Sequence, residues 1–137
     1  MAGKFRKIAT EEAWSIPEVA SELQKVSDDS HLPAYSADLG LMQGVYDRKP
    51  GYGNMNFLDG LLDDERRIRE MDQHGVDVAV TALTAPGVQM FDADTACELA
   101  TLANDRLAAL IAKHPGRFVG LASEERPWVT TEAKAVG

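Results

Sequence analysis

Two adjacent carboxylates, Glu11 and Glu12, stand near the start of the chain in the run Thr10-Glu11-Glu12-Ala13-Trp14. They follow a short, partly apolar stretch, Phe5 to Thr10, that reads as a first strand. A carboxylate at a strand end can offer oxygen to a divalent cation such as Zn²⁺ or Mn²⁺. It can equally be a solvated acid, and the residue types alone favour the solvated reading. Adjacent strand residues point to opposite sides, so Glu12 is expected to face away from whatever Glu11 faces.

The other reactive residue types give no stronger signal. His74 precedes Gly75 and His114 precedes Pro115-Gly116. Both belong at helix C-termini, where an imidazole meets free carbonyls. His31 falls in a long loop and reads as a surface histidine. Cys97, the single cysteine, lies near the apolar face of a helix and reads as a buried thiol. One cysteine excludes an intramolecular disulfide and fits a reducing compartment. Asn104 and Asp105 sit mid-helix, where they orient neighbouring loops. The sequence offers no Ser–His–Asp or Cys–His arrangement. It has no GxGxxG after a strand and no GxxxxGK[ST], so nucleotide-binding versions of an α/β pattern lose support.

The elements that must position these residues alternate. Pro17 suits a first helical turn, and Val19, Ala20, Leu23 and Val26 recur at helical spacing, predicting a helix from Pro17 to about Val26. Residues 31–56 combine turn chemistry with scattered aromatics and read as a long functional loop, with a disordered insertion as the alternative that the aromatics argue against. A single helix is expected over Asp59 to Gly75, with acids at its start and Gly75 as its stop. Val76 to Leu83 is a nearly continuous apolar, β-branched run, the pattern of a strand buried on both faces. Asp92 or Asp94 can cap the next helix, whose apolar line runs from Ala96 to Ile111 and which ends near His114. Arg117 to Ala122 reads as a third strand. Helices alternating with apolar strands argue for parallel βαβ units.

The bulk numbers bound the alternatives. A chain of 137 residues fits one domain, and 45% hydrophobic with 26% charged residues is ordinary globular composition. The formal net charge of −8 repels phosphate backbones and anionic membranes, so neither nucleic acid nor membrane is an expected partner. No apolar run approaches the roughly 20 residues of a membrane span. No apolar h-region follows the basic residues at the start, so the expected location is cytoplasmic.

The segment Lys7 to Glu18 resembles the opening of the amidohydrolase-related metal-dependent decarboxylases, which act on resorcylates, other dihydroxybenzoates and 5-carboxyvanillate. Three further segments are similar to that family in the same order: Glu65 to Asp72, Val78 to Gln89, and Ala103 to Ala108 leading to Lys113 to Phe118. The similarity covers roughly residues 5–122, with residues 4–122 read as family-like and 123–137 as a divergent tail of one domain, 1–137. It implies an α/β fold, part of a TIM-like (β/α)₈ barrel. Such barrels need about 250 residues, so this chain supplies about the first three βα units, with a long loop after the first strand.

The resemblance also assigns roles. Glu11 matches the family's metal-binding Glu of a Glu-x-His motif. Ala13 replaces the His, which resembles the 5-carboxyvanillate branch and points to manganese over zinc. Trp14 is a candidate to stack on an aromatic acid substrate, with a core or rim position weighed equally, and Thr84 is a candidate at the end of the second strand. In the family the metal chelates the substrate's carboxylate and adjacent phenolic oxygen, an acid protonates the ring carbon, and carbon dioxide leaves. The remaining ligands, a His and that acidic Asp, are expected beyond residue 137, so no catalytic residue is assigned here and the chain alone is expected to be inactive. Uncovered barrel edges imply self-association or a partner chain. Three alternatives stay open. One is a hydrolase of the same superfamily acting on a lactone or cyclic amide. Another is a non-catalytic remnant or interaction protein. The last is a small self-contained doubly wound domain.

Overall fold

The computed structural model describes residues 5–28 and 57–123. In chain order these residues form β1 (Ile8–Trp14), α1 (Pro17–Asp28), α2 (Phe57–Leu62), α3 (Asp64–His74), β2 (Val78–Leu83), α4 (Ala93–Lys113) and β3 (Phe118–Leu121). The three strands make one sheet in the order β1-β2-β3, with both pairings parallel. Parallel neighbours need crossovers, and α4 provides the one between β2 and β3.

Two sequence expectations are corrected. The first strand was expected to end at Thr10, but it runs to Trp14. It continues because Glu12, Ala13 and Trp14 pair with Thr81, Ala82 and Leu83 after a register shift. The helix expected over Asp59 to Gly75 is two helices, parted at Asp63. Asp63 is extended (φ −100°, ψ 90°), and its carboxylate accepts the Arg66 N–H at 2.8 Å. The acid that marks a helix start caps α3 instead of continuing the preceding turn. The loop over residues 31–56, with His31, and the tail beyond Ser123 lie outside the described residues.

Other signals map directly onto structure. Asp92 is the N-cap of α4, accepting from Asp94 and Thr95 N–H groups. Gly75 closes α3 in the left-handed region at φ 66°, which a glycine adopts without strain. His74 and His114 both stand at helix C-termini. Asn104 orients a loop as expected. Its amide donates to the Ser123 carbonyl at 2.9 Å and accepts the Ser123 N–H at 2.8 Å.

The core lies on one face of the sheet. Trp14, Ala79 and Phe118 from the strands join Val19 and Leu23 of α1, Met71 of α3, and Leu99, Ala103, Leu107 and Leu110 of α4 in a single buried cluster. The opposite face carries Ile8, Val119 and Leu121, which are 54%, 49% and 55% exposed. Among the described residues no helix covers these three, while β2 between them exposes no residue and buries Val78 on their side, as its continuous apolar run implies.

Candidate functional site

The acidic motif sits on a backbone irregularity. Ala9 pairs with Ala79 and Glu12 with Thr81, so β1 advances three residues while β2 advances two. The extra residue makes a β-bulge across Thr10 and Glu11. Glu11 takes it up at φ 61°, the only non-glycine with positive φ among the described residues. For a side chain with a Cβ this conformation is strained, and bulges next to active sites commonly re-aim a side chain.

The bulge decides which acid faces which side. Ala9 is level with Ala79 on the helix-covered face, and strict alternation from Ala9 would put Glu11 and Ala13 there too. The extra residue puts Glu12 and Trp14 on the covered face and Ala13 on the open face, level with Ala82 and Leu121. Glu12 accordingly meets Arg67 of α3, Nη1 to Oε2 at 3.1 Å. Glu11 is exposed and makes no hydrogen bond or ion pair among the described residues.

The first turns after Gly60 are stitched to this strand end. The Ser15 N–H donates to the Leu61 carbonyl at 3.3 Å. The Trp14 Nε1–H donates to Asp64 Oδ1 at 3.1 Å. Arg67 Nη2 donates to the Ala13 carbonyl at 2.5 Å and to the Gly60 carbonyl at 3.4 Å. Trp14 is only 3% exposed and belongs to the core cluster. Its indole also lines a cavity of about 250 Å³, beside Ser15, Ile16, Asp64, Arg106 and Lys113. Thr84 is half-buried just past β2; its N–H donates to the Trp14 carbonyl at 2.8 Å and its carbonyl accepts from Gly87. Trp14 and Thr84 are therefore adjacent at the C-terminal rim of the sheet, while neither Glu11 nor Thr84 lines the cavity.

Arg67 was not singled out from sequence. In the run Glu65-Arg66-Arg67-Ile68-Arg69 it looks like any charge on a solvated helix face. The available signal was its place four residues after the capping Asp63, which turns it toward β1.

Charge elsewhere secures the helices. Lys113 at the end of α4 hydrogen-bonds Glu65, holding the Glu65 carboxyl below its ordinary range and the Lys113 ammonium above its own. Among the described residues no three His, Cys, Asp or Glu side chains gather as a metal shell. A catalytic divalent site uses about three protein ligands. Glu11 fits one such position, as an exposed oxygen donor with no competing partner.

No family model matches the chain. Known proteins do. The gamma-resorcylate decarboxylase of Polaromonas sp. is 48% identical over 65 residues, 46% of this chain and 20% of that protein. The 5-carboxyvanillate decarboxylase of Sphingomonas paucimobilis superposes with a TM-score of 0.71 at 41% identity, over 87% of this chain and 34% of that one. Its relatives are aromatic-acid decarboxylases. A 5-carboxyvanillate decarboxylase from Novosphingobium aromaticivorans, solved with manganese and 4-hydroxy-3-methoxy-5-nitrobenzoic acid, gives a TM-score of 0.73 at 37% identity over 88% of this chain and 34% of that one. The chain thus spans about a third of the length of these decarboxylase structures.

Proposed function

We propose that the chain carries part of a metal-dependent, non-oxidative decarboxylase of hydroxylated aromatic carboxylic acids, built on the first βα units of a (β/α)₈ barrel. The carrying observation is Glu11: an unpartnered carboxylate re-aimed by a bulge in β1 of a parallel sheet, in a chain whose structural neighbours are 5-carboxyvanillate decarboxylases. In such barrels, sites sit at the C-terminal face of the strands. Glu11 of β1 is the metal ligand of this reading; Thr84 and Trp14 stand beyond it at the C-terminal rim, Thr84 on the substrate side and Trp14 packed into the core. Ala13 removes an imidazole from the motif, leaving an oxygen-richer site that favours manganese over zinc. When bound, the metal would polarise and orient the substrate's oxygen atoms. The chain's own residues keep the Glu11 carboxylate exposed and turn Glu12 away into an ion pair. They supply no second or third ligand among those described, so the isolated chain is inactive on this reading. The single cysteine and the acid surface suit a cytoplasmic protein, and the open sheet face suits self-association.

A chimera tests this reading. Residues 5–122 replace the matching segment of the Sphingomonas 5-carboxyvanillate decarboxylase, and carbon dioxide release from 5-carboxyvanillate is measured with Mn²⁺. The chimera is expected to turn over and the isolated chain is not. Turnover by the isolated chain would overturn its incompleteness, and a folded, manganese-loaded but inert chimera would count against the decarboxylase reading.

A further inference from the structure

We infer that Arg67 is a positioning residue for Glu11, a clamp that selects the bulged register of β1 and so keeps the Glu11 carboxylate exposed, away from the helix-covered face. The functional meaning of that carboxylate rests on the decarboxylase reading above; the clamp itself rests on geometry.

A one-residue slip in a strand exchanges its two faces. Without the bulge, Glu11 would turn to the helix-covered face, Glu12 to the open one, and the strain at φ 61° would be relieved. Something must therefore hold the strained register. Arg67 grips the two residues that follow Glu11, taking the Glu12 carboxylate at 3.1 Å and the Ala13 carbonyl at 2.5 Å. It anchors them to the Gly60 carbonyl at 3.4 Å. Its side chain is 11% exposed against 39% for Glu12, so the guanidinium is fixed in the protein and the strand is drawn to it. Glu12 reaches it only from the covered face, hence only in the bulged register. The Trp14–Asp64 bond supports the same register from the same helical turn. A guanidinium presents its donors in a rigid planar fork that spans these separated acceptors, whereas a lysine ammonium is a compact, rotatable point charge that fixes no such geometry.

The test uses the isotope-labelled full chain in solution, comparing wild type with Arg67→Lys, Arg67→Met, Glu12→Gln and Glu11→Gln. One reading is the backbone φ at Glu11 from chemical shifts and couplings. The other is paramagnetic broadening of the Thr10 to Ala13 amides by added Mn²⁺. The wild type is expected to show positive φ and local broadening. Arg67→Lys and Arg67→Met should lose the positive φ and need at least ~10-fold more Mn²⁺ for the same broadening, the scale of lost support to a metal ligand. Glu12→Gln should do so more weakly, and Glu11→Gln should lose broadening while keeping the bulge. A merely structural arginine would lower the melting temperature and leave φ at Glu11 unchanged in the folded variants; that result overturns the clamp. If Arg67→Met fails to fold, Arg67→Lys decides. Positive φ that depends on Arg67 without any Mn²⁺ broadening would keep the clamp and show that Glu11 holds the metal only with the ligands of a complete barrel, which the chimera supplies. Broadening at Glu11 that survives both Arg67 variants would keep the metal reading and overturn the clamp.

Discussion

Glu11 and Glu12 share chemistry and neighbouring positions, yet the fold gives them opposite duties. Glu12 is spent on Arg67 and Glu11 is left free. That they would part was legible from alternation along a strand. Which backbone device parts them was not, because Thr10-Glu11 carries no glycine to announce a positive φ. Arg67 was hidden for a related reason: its partners on β1 are more than fifty residues away in sequence. Local chemistry was easier to read, as at Asp92. The Thr95 N–H bonding to its carboxylate holds Asp92 below the ordinary aspartate range. A depressed folded pKa means the cap's charge contributes stability above the ordinary aspartate range, and that contribution fades as pH falls through the depressed range. Asp92→Ala should therefore lower the melting temperature at neutral pH and flatten its decline in acid. Parallel melting curves for the two proteins in acid would show that the cap's charge contributes nothing.

At the scale of elements, α4 and β3 meet without slack. A Cβ added at Gly120 would lie 2.9 Å from Leu107 Cγ and Cδ2 and from Ile111 Cδ1. Overpacking of this kind costs about 1–3 kcal/mol. Gly120→Ala should thus destabilise by that amount in chemical denaturation, with most of the far-ultraviolet signal retained. A neutral effect would mean that α4 can back away from the strand. The apolar line of α4 and its capping acid were both readable, since periodicity and an N-cap agree over a long helix. The break at Asp63 was not read, although the acid pair Asp63-Asp64 carried the signal. Placed inside a stretch with helical composition, a cap looks like a favourable first-turn charge until the extended backbone at Asp63 shows otherwise.

For the whole molecule, strand order followed from alternating helices and strands, because parallel neighbours leave few topologies. The exposure of the flanking strands on one face did not follow, since an apolar strand reads the same whether its second face is covered within the chain or by something else. Ile8, Val119 and Leu121 leave that face apolar and exposed among the described residues. Sedimentation should show concentration-dependent self-association that Leu121→Lys weakens without lowering the melting temperature. A monomer at all concentrations would show that the face is covered within the chain. The central claim, that Glu11 holds the metal of an aromatic-acid decarboxylase, is met most directly in the chimera carrying residues 5–122. Carbon dioxide release from 5-carboxyvanillate and bound manganese should both be lost in Glu11→Gln and only weakened in Glu12→Gln; a Glu11→Gln chimera that still binds manganese and turns over would contradict it.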